Sequence, residues 1–134
     1  MTATDLALKL LAENKLCVLA TSSLEGKPEA ATIQYADEGL NVFFKTFRTY
    51  RKFMNMNLNP QTSIVITAEK QTLQMDGLVE PVSTEPARGF LIAKHGYDKE
   101  YFEDGRVRYF RFTPTWARVM IGGKYPPEFE ELKL

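Results

Sequence analysis

The sequence has one cysteine, one histidine and no surplus of charge. A lone cysteine, Cys17, excludes an intrachain disulfide, and nothing points to an oxidising compartment. It lies in the apolar run 16–20, where a buried, inert thiol is expected. The lone histidine, His95, has no second histidine or cysteine beside it, which excludes a zinc site of the usual composition and a Cys–His nucleophile pair. Lysines and arginines number 17 and acidic residues 17, so the chain has no general attraction for nucleic acid or an anionic membrane. No stretch approaches the ~18 apolar residues of a membrane span, and no GxGxxG or Walker-type glycine loop is present. The start, MTATDLALKLLAENK, has no basic leader ahead of an apolar block, so no secretory signal is read there. A cytoplasmic protein is expected.

The composition is that of an ordinary globular chain. Its 134 residues, 44% hydrophobic and 25% charged, fit one domain, 1–134, with a single core. The spacing predicts an amphipathic helix over 4–14, capped by Thr4 or Asp5, with Leu6, Leu10 and Leu11 on one face. Strands are expected over 16–22, 27–36 and 40–46, joined by turns at Ser23-Leu24-Glu25-Gly26 and Asp37-Glu38-Gly39, as a three-stranded antiparallel meander. Residues 62–67 (TSIVIT) and 72–82 read as further strands, the latter with a bulge at Gly77. Pro86 suits the first turn of a helix over 87–94 that Gly96 ends. A helical turn is expected over 97–104, strands over 107–112 and 117–121, and a loop with a short helix in the tail. About six antiparallel strands with three or four short helices bury their apolar faces most simply as a small barrel.

The chemically distinctive stretch is 43–60, FFKTFRTYRKFMNMNLNP. An alternating strand runs into Lys45, Thr46, Arg48, Thr49, Arg51 and Lys52, followed by a helix pattern over 49–58 that stops at Asn59-Pro60. The arginines offer planar forks that match phosphate oxygens, the lysines point charges and the threonines hydroxyl donors. With Thr49 as N-cap, the free N–H groups of Tyr50, Arg51 and Lys52 would aim at the same spot. Cations are unfavourable at a helix N-terminus, which is already positive. A bound dianion, such as a cofactor phosphate, explains them better than a merely solvated basic turn.

The order of a helix, LCVLATSSLEGKPEAATIQY, DEGLNVFFKT, and a basic helix ending in LNP before a β-branched strand resembles the pyridoxamine 5'-phosphate oxidase-like, FMN-binding split-barrel family. The likeness covers about residues 5–83, with a weaker part at 106–119. It implies a mainly β fold with short helices (α+β), a six-stranded antiparallel split barrel, and a homodimer with flavin between the subunits. Carried over to this sequence, Thr46, Thr49, Arg51 and Lys52 become phosphate ligands, flanked by Lys45 and Arg48. Ala31, Thr32, Ile33 and Gln34 become the strand along which the isoalloxazine ring lies. Trp116, Tyr109 and Arg111 become candidates for the second wall of the cleft.

The vitamin-processing oxidases of the family carry a C-terminal segment with arginines and histidine that grips the pyridoxal substrate. GGKYPPEFEELKL shows no such pattern, so pyridoxamine phosphate oxidation is not assigned. The expected activity is FMN-dependent hydride or electron transfer between a reduced nicotinamide and a small acceptor, with catalytic residues unassigned. The poor inventory of acids and bases suits a protein whose cofactor does the chemistry. Deazaflavin or heme can replace FMN in this reading, and a non-catalytic store or sensor is its alternative. His95 reads as a surface residue near a helix end. A single-stranded nucleic-acid barrel using the alternating aromatics and cations of 43–53 is the reading from another class, and neutral charge counts against it.

Overall fold

A computed structural model describes residues 1–97 and 104–134, so most of the turn expected over 97–104 lies outside the described residues. The elements are α1 (Ala3–Glu13), β1 (Leu16–Ser22), β2 (Pro28–Gln34), β3 (Ala36–Glu38), β4 (Asn41–Phe47), α2 (Arg51–Leu58), β5 (Gln61–Ala68), β6 (Gln71–Val82), α3 (Thr84–His95), β7 (Val107–Ile121) and β8 (Glu128–Glu131). All strand pairings are antiparallel, in the order β2-β1-β5-β6-β7-β4-β3, with β8 added to β7. The sheet curls into a split barrel that is mainly β, with three short helices among the described residues.

The first hairpin of the expected meander forms, but its second strand does not go on to pair with the third. Residues 28–34 pair with β1, and residues 36–38 then pair with β4, whose other neighbour is β7. The hinge between them is Tyr35. Its ring is fully buried and its hydroxyl donates to the Leu11 carbonyl at 2.7 Å, which draws the chain into the core. One run of residues thus borders both ends of the sheet, and the barrel opens between β2 and β4. The turn predicted at Asp37-Glu38-Gly39 moves one residue on, because Glu38 already pairs with Asn41.

The core follows from alternation. Leu19, Phe44, Ile64, Leu73, Met75, Phe110 and Phe112 are fully buried, with the Phe44 and Phe110 rings stacked at 5.8 Å. A smaller cluster of Phe43, Ala87, Leu91, Val107 and Tyr109 lies beneath α3. The expected bulge is present as a register shift between Asp76 and Gly77. A Cβ on Gly77 would lie 2.4 Å from the Thr113 carbonyl, so the glycine permits the close approach of β7.

The helix ends differ in detail from expectation. Thr2, not Thr4 or Asp5, caps α1, in a capping box with Asp5 as the returning acid. Tyr50, not Thr49, is the N-cap of α2, and it makes no side-chain capping bond. Gly96 closes α3 in the left-handed region, as anticipated. The two strands expected around Thr113-Pro114 are one, β7, and the tail forms strand β8 in place of a helix. Among the described residues no helix is long and apolar enough to cross a membrane.

Candidate functional site

The split between β2 and β4 holds a cavity of about 210 Å³, lined by Ile33 and Gln34 from β2, Lys45, Thr46 and Phe47 from β4, Tyr50 and Lys52 at the start of α2, Leu91 and His95 from α3, and Val107. No carboxylate lines it among the described residues. Thr46 shares the inward side of β4 with Val42 and Phe44, and is only 4% exposed. Its hydroxyl has no hydrogen-bond partner among the described residues. A buried polar atom left without a partner costs about 1–3 kcal/mol, so this hydroxyl is better suited to a bound state than to the empty fold.

Two ammonium groups share that cavity. Lys45 is half-buried, and burial lowers its pKa from the ordinary lysine value. Its Nζ lies 5.9 Å from the Phe47 ring centre. Lys52 Nζ lies 5.1 Å from the centre of the Tyr50 ring, which itself meets Phe47 edge-on at 5.2 Å. The aromatic pair therefore carries both amines along one wall. The first backbone N–H groups of α2, at Arg51 and Lys52, have no capping side chain. Two cations and a buried hydroxyl on one cavity fit the phosphate of a cofactor.

The six residues expected to surround one anion are divided. Lys45, Thr46 and Lys52 line the first cavity. Thr49 and Arg51 line a second, of about 230 Å³, with Ser23, Lys27, Pro28, Glu29, Met54 and Asn55, and Tyr50 stands between the two. Arg51 is answered there by Glu29, Nε to Oε2 at 3.6 Å. Arg48 is exposed and lines neither cavity; its backbone N–H continues the ladder to the Arg106 carbonyl at 2.8 Å. The cause is backbone geometry: residues 45 and 46 lie on a strand, whereas residue 51 opens a helix that turns toward β2.

Of the ring-strand residues, Ile33 and Gln34 line the first cavity and Ala31 and Thr32 do not. Gln34 donates its Nε2–H to the Tyr97 hydroxyl. Trp116 is half-buried on β7, with the Arg118 guanidinium 5.7 Å from its ring centre, and lines neither cavity. Arg111 is ion-paired with Glu80, and Tyr109 is buried under α3.

His95 is the residue that the sequence reading misplaced. It is half-buried on the cavity wall, its Nε2 2.7 Å from the Tyr35 carbonyl, and Tyr97 stacks on its ring at 5.9 Å. Burial lowers its pKa most, opposed by the Tyr35 carbonyl and reinforced by Lys94, Lys15 and Lys45. A signal for this was present: Ala87, Leu91 and His95 recur at four-residue spacing, which is one face of a helix. Next to it, Lys94 Nζ donates to the Leu11 carbonyl (2.7 Å) and to Asp37 Oδ1 (2.6 Å), and lies 4.0 Å from the Tyr35 ring centre. This cluster ties α1, α3 and the β2–β3 hinge together, and so holds the wall that carries His95. Cys17 nearby is inert, its thiol pushed up to about 12 by burial.

A family model described as Pyridoxamine 5'-phosphate oxidase matches residues 3–121. The chain belongs to that family. A heme binding protein from Mycobacterium smegmatis, 18% identical, matches 97% of this chain and 58% of its own with a TM-score of 0.82. This chain thus spans little more than half of that protein. HutZ, the heme storage protein from Vibrio cholerae, is 20% identical over 92% of this chain and 96% of its own, with a TM-score of 0.69. A NimC/NimA family protein from Clostridium acetobutylicum is 17% identical over 98% and 95%, with a TM-score of 0.70. At these identities the likeness establishes the fold. No curated protein matches the chain.

Proposed function

We propose that this protein binds flavin mononucleotide and uses it to pass hydride or electrons from a reduced nicotinamide to a small acceptor. The observation that carries this reading is the buried Thr46 hydroxyl, unpartnered among the described residues, on a cavity that also presents Lys45 and Lys52 and no carboxylate among those residues. Those three residues would hold the phosphate, and Ile33 and Gln34 would meet the ring. The bound flavin supplies the redox chemistry. The chain's own residues bind and orient it and keep water from one side of the site. Membership of the pyridoxamine 5'-phosphate oxidase family supports the reading. A deazaflavin with the same phosphate would meet the same residues.

The cavity of about 210 Å³ is smaller than the ~300–1,000 Å³ of a typical small-molecule site. It suits a phosphate and its linker, with the ring lying outside along β2. A second copy of the chain would then cover the ring, and the exposed apolar side chains Leu16, Val18 and Leu78 offer surface for such a homodimer. Trp116 and Arg111 would belong to that second wall.

The test is a titration of the purified protein with FMN, followed by absorbance and fluorescence. Quenched flavin fluorescence, bleaching of the bound band by NADH or NADPH, and reoxidation in air are expected. A colourless protein that leaves FMN fluorescence unchanged would overturn the proposal. Heme is the second reading, favoured by the presence of the chain's one histidine on this cavity. Because Nε2 is committed to the Tyr35 carbonyl, iron would have to meet Nδ1. A Soret band that forms with hemin and is lost in His95→Ala would favour heme.

A further inference from the structure

The first cavity has acceptors as well as donors, and a bare phosphate uses only the donors. His95 Nε2 lies 2.7 Å from the Tyr35 carbonyl. A carbonyl only accepts, so Nε2 carries the proton, and in the neutral ring Nδ1 is left as an acceptor. No described residue hydrogen-bonds to Nδ1. The ring is held in place by Tyr97, stacked on it with planes 17° apart, and by the anchored Lys94 one residue before it. Among the described residues the charged groups that face it, Lys94, Lys15 and Lys45, are cationic and work against a second proton. Gln34 repeats the pattern: its amide nitrogen is used on the Tyr97 hydroxyl, which leaves its carbonyl oxygen to accept. One small cavity is lined by Lys45, Thr46 and Lys52, which can donate, and by Gln34 and His95, which can accept.

A ligand that satisfies both sets has an anion and several O–H or N–H groups within a short chain. We propose that His95, its tautomer fixed by the Tyr35 carbonyl, accepts a hydrogen bond from a hydroxyl of a polyol phosphate in this cavity, and so selects sugar-alcohol phosphates over plain phosphate esters. This rests on reading the cavity as a phosphate site. In the flavin reading, the polyol is the ribityl chain between ring and phosphate.

The test compares ribitol 5-phosphate with pentyl phosphate, which has the same charge and length but no hydroxyls. Affinities are measured by calorimetry on the full chain, for wild type, His95→Leu and His95→Gln. Wild type should prefer the ribitol ester by about three- to tenfold, the worth of one neutral hydrogen bond. His95→Leu should lose that preference while binding pentyl phosphate as before. His95→Gln should keep it, because an amide can donate to Tyr35 and still accept. A second measurement needs no variant: His95 is the only histidine, so its ring nitrogens are unambiguous in a nitrogen-15 spectrum. Ribitol 5-phosphate should move the Nδ1 resonance upfield, and pentyl phosphate should leave it in place. Equal binding of the two esters by wild type, an unchanged preference in His95→Leu, or a static Nδ1 resonance overturns the inference and leaves the phosphate reading standing. Failure of both esters to bind overturns the phosphate reading and the inference with it.

Discussion

The two cavities on either side of Tyr50 receive their charges from one short sequence, yet the described residues set different groups beside those charges. In the second, Arg51 is 75% exposed and already faces the Glu29 carboxylate. In the first, two amines and a buried hydroxyl share a space that no carboxylate lines among the described residues. The contrast extends to ion pairs: Lys94 and Asp37, 13% and 20% exposed, form a pin in the fold, whereas the Arg51 that meets Glu29 is itself 75% exposed.

The largest effect should come from the pin. Lys94→Met strands the Asp37 carboxylate and leaves the Leu11 carbonyl with the Tyr35 hydroxyl alone, and should cost about 3 kcal/mol in urea unfolding, while Arg51→Ala should change stability by less than about 0.5 kcal/mol. Similar losses in both variants would erase the distinction. Next in size is ligand binding. Lys52→Ala should weaken FMN by about tenfold or more, the worth of a charge-assisted bond, whereas Arg51→Ala should shift it by less than about threefold. The opposite ranking would move the phosphate to the second cavity.

A subtler variant separates folding from binding at one atom. Thr46→Val removes the orphaned hydroxyl without changing shape, so the ligand-free protein should gain about 1 kcal/mol, or about 3 °C in Tm. The same variant should bind FMN more weakly. A lower Tm would mean that the hydroxyl is satisfied within the fold. The smallest effect is on pH dependence. His95 titrates below its ordinary 6.5 in the folded chain, so between the two values the unfolded chain binds more protons and stability rises with pH. Unfolding free energy should therefore fall as pH drops below about 6.5, and His95→Gln should flatten that slope. An unchanged slope would assign it to other groups.

These contrasts also mark how far the sequence could be read. The strands were legible because β-branched and aromatic residues alternate in them, and the bulge because Gly77 interrupts such a run. The family was legible from the order of elements ahead of LNP. The pairing of β2 was not, because turn residues report local reversal and Tyr35 acts through Leu11, 24 positions away. The division of the cationic segment was equally hidden, since it depends on α2 beginning at Arg51 and not two residues earlier. β8 escaped notice because its Glu-rich sequence has no apolar alternation. It is nevertheless fastened to β7 by its ladder and by Leu132, whose N–H bonds to the Ala117 carbonyl at 2.9 Å.

The most direct measurement is a crystal structure of the protein grown with excess FMN. A phosphate site on the first cavity predicts density between Lys45 and Lys52, with the Thr46 hydroxyl donating to one of the phosphate oxygens. Density against Thr49 and Arg51, or a first cavity holding only water at saturating FMN, would contradict it.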